Sequence, residues 1–172
     1  MWWLSIALAA ELGGTLLGED GEPIVGADVL VYDSRFNYGS AQTRSGGEWA
    51  VKGLPPDRYR IRFLPANSDP HGDRFYGGAW DACEAESVNL AVESSVGSGL
   101  DDTLTLGAEV AGQVTDLDGA PIEGARVVVY GAESRTSLIR REGLTSAGGA
   151  FFVGGLDAEA SGSSFFVFLE HT

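Results

Sequence analysis

The sequence contains one lysine, one cysteine and two histidines, and each scarcity excludes a class of function. Nucleic acids are held mainly by clustered Lys and Arg, so a net charge of -14 excludes a nucleic-acid partner and disfavours an anionic membrane surface. Cys83 has no second cysteine with which to form an internal disulfide. Because His and Cys are too few for most zinc sites, we expect no metal centre and no cofactor. No apolar run reaches the twenty or so residues that a membrane span requires.

Glycine, in contrast, is abundant, and it is spread among short apolar runs. The chain has 25 glycines and 44% hydrophobic residues, which is enough apolar material for a core. Residues 27–32, 59–63 and 125–130 alternate between apolar and other side chains, as half-buried strands do. Pairs such as Asp20-Gly21 and Gly148-Gly149 supply the positive φ that tight turns need. The sequence therefore predicts an all-β fold.

An internal repeat is the strongest signal in the sequence. Residues 5–32 and 103–130 are identical at 13 of 28 positions without a gap. After a length difference of four residues the match resumes at Gly46-Gly47 and Gly148-Gly149. Each repeat is then one structural plan of about a hundred residues, within the normal size range of a domain.

The repeated segments resemble the carboxypeptidase regulatory-like domain, a transthyretin-like β-sandwich with a carbohydrate-binding-like fold. The resemblance covers nearly the whole chain and is carried by three runs, which read GQVTDLDGAPIEGARVVVY (112–130), TSAGGAFFVGGL (145–156) and GLPPDRYRIRF (53–63). It implies two tandem Greek-key-type β-sandwich modules. It also implies an extracellular, cell-surface or periplasmic location, because such domains recur in bacterial surface and secreted proteins. The same sandwich serves as spacer, sugar-binding module and regulatory appendage of hydrolases.

The repeat also predicts the domain organisation. Residues 11–107 form a complete first module, called copy one here, and residues 108–172 form a second, truncated module, called copy two. Residues 1–10 match the last strand of copy one, so we expect them to be the closing strand of a preceding repeat. A secretory signal remnant is the alternative, although the segment has no positive n-region.

Catalytic and metal sites find little support in the sequence. His71 is followed at the second position by Asp73, but a lone loop histidine beside an aspartate is usually solvated, and no nucleophile accompanies it. We therefore predict no catalytic residues and no enzyme activity. Acidic residues at one turn and at one segment before copy two are weak calcium candidates, although their spacing is not that of an EF-hand. These candidates are Asp116, Asp118, Asp101 and Asp102.

Two features of copy one are candidate ligand-binding elements. Phe75, Tyr76 and Trp80 lie on a glycine-rich connection and could form a platform for a sugar or a peptide, although core packing is the favoured interpretation. Arg58, Arg60 and Arg62 alternate along one strand and could bind a carboxylate-bearing polymer or an acidic partner. Pairing with neighbouring acids, or protection of a sheet edge, is the alternative.

Together these observations predict a non-catalytic structural or binding module with a polysaccharide or a protein as its partner. A carbohydrate-binding module is the first alternative and a regulatory appendage of a hydrolase is the second. Copy two lacks counterparts of two closing strands, and its residues 163–169 are apolar on both faces. We therefore expect self-association, in which residues 5–8 of one molecule complete copy two of another.

Overall fold

The computed structural model of the protein describes residues 10–35, 38–80, 82–90, 96–131, 140–156 and 165–170. Every regular element in these ranges is a β-strand, which confirms the predicted all-β class. Residues 1–9, which carry the predicted closing strand or signal remnant, lie outside the described residues. The module boundaries at residues 107 and 108 stay a prediction.

The first sheet of copy one is built around β1 (Ala10–Gly18). On one side β1 pairs antiparallel with β4 (Glu48–Leu54). On its other side it pairs in parallel with the short strands β8 (Val96–Gly97) and β9 (Asp102–Leu104). Both edges of β1 are therefore covered, and its alternate residues are buried.

The second sheet of copy one has the strand order β3-β2-β5-β6, and β7 also pairs with β5. Its strands are β2 (Asp28–Tyr32), β3 (Tyr38–Gln42), β5 (Arg58–Leu64), β6 (Arg74–Phe75) and β7 (Val88–Asn89). The strand predicted at residues 59–63 is β5, where Tyr59, Ile61 and Phe63 are buried and the arginines face the other way. This alternation places the arginine row on the outer face of the sheet.

Copy two contains a shorter version of the same two sheets. β10 (Ala108–Gln113) pairs with β13 (Ala150–Leu156). In the other sheet β11 (Arg126–Gly131) lies between β12 (Arg140–Leu144) and β14 (Phe165–Glu170). Among the described residues, no strand pairs with the second edge of β10.

The pairing register is the same in both copies. Ala10 pairs with Leu54 and Ala108 pairs with Leu156, and each ladder has an irregularity just after that pair. The glycine before each leucine has a positive φ, 79° at Gly53 and 69° at Gly155. An irregularity of this kind bends the strand, and glycine is the residue that accepts the required φ without strain.

Among the described residues, the core of copy two is smaller than that of copy one and fewer strands cover it. In copy one the core cluster includes Trp49 and Phe63, whose rings meet edge to face at 5.7 Å. The described core of copy two is a small cluster made of Val114, Val127, Val129, Val153 and Leu156. On β14 the apolar side chains remain open to solvent, with Phe166 55% exposed and Leu169 58% exposed. This exposure agrees with the sequence prediction of an uncovered strand in this region.

Candidate functional site

Copy one and copy two meet at the connection that follows β5, residues 65–80, and this junction is the candidate functional site. The connection carries three buried polar side chains in succession, those of His71, Asp73 and Arg74. Buried polar groups need partners, since an unpaired one costs about 1–3 kcal/mol. Most partners come from within the connection, from copy two and from the residues that link the copies.

The central contribution of copy two is Arg141 on β12, which is 4% exposed. Its Nη1 donates hydrogen bonds to the carbonyl oxygens of Pro65 at 2.8 Å and Ala66 at 3.1 Å. Its Nη2 donates to the carbonyl oxygen of His71 at 3.3 Å and lies 3.8 Å from Asp73 Oδ1. One guanidinium thus gathers three backbone carbonyls of the other copy, an arrangement that its planar fork of donors suits.

The charge of Arg141 is compensated by acids of copy one. Burial lowers the pKa of the Arg141 guanidinium, whereas the nearby Asp73 and Asp69 raise it. An arginine side chain keeps its proton in proteins, so the buried group is a cation. The junction therefore places a positive side chain of copy two near two aspartates of copy one, Asp69 and Asp73.

The residues that link the copies run along the same connection. Gly72 N donates to Thr105 O at 3.2 Å, and Gly107 N donates to Pro70 O at 2.9 Å. Arg74 Nη2 also donates to Thr105 Oγ1 at 3.2 Å. Residues 105 and 107, at the end of copy one where the chain passes into copy two, are thus hydrogen-bonded to the connection.

Gly155 allows the close approach of the two copies. A Cβ atom at this position would lie 2.5 Å from the carbonyl oxygen of His71 and 3.1 Å from Arg141 Nη2. At Gly53, its equivalent in copy one, a Cβ atom would meet nothing within 4 Å. Glycine is therefore needed at residue 155 for the interface as well as for the positive φ.

An open groove of ≈ 490 Å³ lies beside the junction. Arg62, Asn67, Asp73 and Arg141 are among its lining residues. Arg62 Nη2 donates to Asp73 Oδ2 at 2.6 Å, whereas Asp73 Oδ1 is buried and has no hydrogen-bond partner among the described residues. The groove is therefore lined by two arginines and the Asp73 carboxylate, whose Oδ1 atom is itself buried.

The aromatic residues of the connection do not lie on a common open surface. Phe75 is buried, and Tyr76 packs against the core of copy one. Burial is the main cause that raises the pKa of the Tyr76 hydroxyl, and Glu86 adds to it. Trp80 is half-buried, and the guanidinium of Arg74 lies over its ring. A ligand platform made of these three residues stays a prediction.

The arginine row is divided between different environments. Arg58 is exposed, whereas Arg60 and Arg62 are half-buried. The Arg62 guanidinium lies 5.6 Å from the centre of the Phe75 ring and is paired with Asp73. Only Arg62 of the row lines the junction groove. Ligand binding by the row also stays a prediction.

Three of the four acidic calcium candidates accept hydrogen bonds from the backbone, and the fourth, Asp118, donates its backbone N–H to Asp116. Asp116 Oδ1 accepts from the N–H groups of Asp118 and Ala120, which closes the turn at the start of copy two. Asp101 Oδ1 accepts from Thr15 N, and Asp102 accepts from Gly77 N and Thr103 N. Burial raises the pKa of the Asp102 carboxyl, and these two backbone N–H groups oppose that effect. Within the described ranges, no three His, Cys, Asp or Glu side chains are placed to share a metal ion.

His71 pairs with an aspartate other than the one that follows it. Its Nδ1 lies 2.7 Å from Asp69 Oδ1, and its backbone N–H donates to the same oxygen at 2.9 Å. Asp73 is instead the partner of Arg62. The His71–Asp73 pair considered from the sequence is therefore not formed, because Asp69 closes a tighter local turn around the histidine.

Arg141 is the site residue that sequence reasoning missed. Counting back from Gly46 and Gly148 places it at the position of Gly39 in copy one. A buried arginine in place of a glycine is a large departure within a repeat, and this difference was the signal available. Its partners in residues 65–71 could not be read from the repeat.

Comparisons with known proteins give the chain structural neighbours but no family. No protein-family model matches the chain and no curated protein matches it, so the carboxypeptidase regulatory-like resemblance stays a prediction. A streptococcal ancillary pilin is 12% identical over 97% of this chain, with a TM-score of 0.43, and the match spans 60% of the pilin chain. The Bacillus anthracis TIE protein is 15% identical over 94% of this chain and 26% of its own, with a TM-score of 0.41. Hydroxyquinol 1,2-dioxygenase from Pseudomonas putida is 10% identical over 60% of this chain and 58% of its own, with a TM-score of 0.38. Likeness at this level assigns neither a family nor a function.

The described residues contain no helix long and apolar enough to cross a membrane.

Proposed function

We propose that the chain is a non-catalytic structural module of an extracytoplasmic protein, in which copy one and copy two act as one rigid unit. The observation that carries this proposal is the set of hydrogen bonds from Arg141 to the carbonyl groups of Pro65, Ala66 and His71. Because hydrogen bonds are directional and the arginine is buried, rotation of one copy against the other would break them. Two sandwiches held in this way keep a fixed orientation to each other, which is what a rigid spacer requires.

The non-catalytic assignment is supported by what the polar groups of the junction do. His71 is held by Asp69, and Asp73 is held by Arg62. Each of these groups completes a contact that fixes the connection in place. The location outside the cytoplasm is supported by the resemblance of the repeated runs to domains of surface and secreted proteins.

Amide hydrogen exchange, resolved by residue, tests the rigid junction. Gly72 and Gly107 each donate an N–H across the linker contact. We expect both amides to be protected in the native chain and to exchange at least about tenfold faster in Arg141→Met, which removes the donors but keeps an apolar side chain. Arg44→Met is the matched control, because Arg44 is exposed on a turn of copy one. Unchanged protection of both amides in Arg141→Met would refute the rigid unit.

Carbohydrate binding is a second candidate function, and the junction groove favours it. Arg62 and Arg141 both line the groove, and a sugar acid offers a carboxylate that arginine side chains bind. Titration of the ¹⁵N-labelled chain with an oligogalacturonate tests the idea. Shifts at the Asn67 and Asp73 amides would place the ligand in the groove, shifts near Trp80 would place it on the aromatic connection, and no shifts would remove this candidate.

A further inference from the structure

The two copies differ most at the open edge of their first sheets. In copy one, β9 lies beside β1 with Leu16 opposite Asp102 and Gly18 opposite Leu104. Leu104 is 0% exposed and belongs to the core. In copy two no described strand occupies the equivalent place beside β10. The edge is therefore closed in copy one, whereas the part of the chain that the structure describes leaves the same edge of copy two open.

Backbone hydrogen bonds identify the residues that face this edge. In copy one Leu16 N donates to Gly47 O and Gly18 N donates to Glu22 O, away from β9, whereas Glu19 N donates to Leu104 O at 3.1 Å. In copy two Val114 N donates to Gly149 O and Asp116 N donates to Ala120 O in the same manner. Thr115 and Leu117 are therefore the residues that face the open edge.

Burial follows the same difference. On β1 the core-facing Leu12 is 0% exposed, whereas its equivalent Val110 on β10 is only half-buried. Leu117, the equivalent of Glu19, is fully exposed. An uncovered edge next to a small apolar core attracts a further strand.

The chain carries a segment that matches the missing strand. Residues 4–8 align with residues 102–106 without a gap, with Ile6 at the position of Leu104 and Leu8 at that of Leu106. Ile6 precedes Ala10 by four residues, as Leu104 precedes Ala108. The segment thus precedes β1 in the sequence by the same number of residues as β9 precedes β10.

We infer that residues 4–6 of one molecule pair in parallel with residues 114–116 of copy two in a second molecule. β9 does not pair with the strand that follows it; it closes the copy that lies before the junction. Residues 4–6 lie before copy one as β9 lies before copy two, so they are expected to pair with the copy on their other side. Among identical chains, copy two of a neighbouring molecule takes that position. Thr115 lies opposite Ser5, and Ile6 fills the place that Leu104 fills in copy one. The contact is head-to-tail, so it builds a filament or a closed ring.

This pairing uses residues 114–116, which directly follow β10, and leaves β14 uncovered. The sequence placed the opening of copy two at residues 163–169, and β14 is indeed exposed. However, β14 lies in the other sheet, where its copy-one equivalent β5 is covered by β6 and β7. The register of β9 therefore assigns the closing strand to residues 114–116, at the end of β10.

Sedimentation velocity of the full chain over a concentration series tests the inference. We expect the native chain to form oligomers at tens of micromolar or below, a range in which unpaired edges associate. Ile6→Asp puts a charge into the apolar place and should leave the monomer as the main species. Ala7→Asp adds the same charge at the position of the exposed Thr105 and should still assemble. Circular dichroism shows whether both variants keep the native strand content.

A synthetic peptide of residues 2–9 provides the second arm of the test. We expect it to bind Ile6→Asp, whose copy two is free, and a scrambled peptide not to bind. A native chain that is monomeric at tens of micromolar, or an Ile6→Asp variant that assembles like the native chain, would overturn the inference. Either result would leave the junction proposal intact, because Arg141 is tested by amide exchange at another surface.

Discussion

Arg141 and Gly39 occupy equivalent positions in the two copies, opposite Val129 and Val31 respectively. In copy one a Cβ atom at Gly39 would lie 2.6 Å from Val51 Cγ1, so the core side chain of Val51 leaves no room for a side chain at residue 39. In copy two the same position carries a long cation that reaches the carbonyl oxygen of Pro65. One position of the repeat thus serves packing in one module and the contact between modules in the other.

The first prediction concerns the stability that Arg141 contributes. Arg141→Met leaves three backbone carbonyls without their buried donor and removes the cation that lies 3.8 Å from Asp73 Oδ1. We expect the free energy of unfolding to fall by about 2–4 kcal/mol, as for the loss of one partner in a buried charged contact. Urea denaturation followed by circular dichroism measures the change. Arg44→Met should change it by less than about 0.5 kcal/mol, and equal effects of the two variants would contradict the buried role.

The bulge glycines give a matched pair of substitutions. Gly53→Ala places a Cβ atom in open space at a positive φ. This backbone strain should lower the free energy of unfolding by about 1–2 kcal/mol. Gly155→Ala adds the same backbone penalty and also meets the His71 carbonyl and Arg141. We therefore expect Gly155→Ala to be the more destabilising by at least about 1 kcal/mol in thermal denaturation. A larger cost at Gly53 would mean that the copies do not approach each other at residue 155.

A double-mutant cycle on Arg62 and Asp73 measures the ion pair beside the groove. The side chain of Asp73 is 7% exposed and that of Arg62 is 23% exposed, so solvent screens the pair only partly. We expect a coupling energy of about 1–3 kcal/mol from the variants Arg62→Met, Asp73→Asn and their combination. Chemical denaturation at low and high salt gives the four stabilities. A coupling near zero would show that Asp73 is held by other contacts.

Trp80→Ala separates a packing role from a ligand role. Because Trp80 covers the guanidinium of the buried Arg74, its removal exposes that charge and leaves a gap in the connection. We expect destabilisation by about 2 kcal/mol in thermal denaturation. Full native stability together with loss of binding to an acidic polysaccharide would instead favour the platform.

The strands could be predicted because their information is local. On β5 the alternation of Tyr59, Ile61 and Phe63 predicts which face is buried, and the glycine pairs predict where the chain turns. The junction could not be predicted, since it depends on which segments meet in space. The partner of His71 illustrates this. Asp69 and Asp73 are each two residues from it in the sequence, and only the folded connection shows that Asp69 is the one that pairs with it.

The parallel pairing of β1 with β9 has a mechanical consequence. A pull along the protein enters copy one at Ala10, the start of β1, and leaves it beyond Leu104, the end of β9. Because the two strands run side by side in the same direction, opposite forces at these ends slide them past each other along their length. The hydrogen bonds between them then carry the load together and do not open one after another. We therefore expect copy one to unfold at a higher pulling force than it would if the same hydrogen bonds opened one at a time.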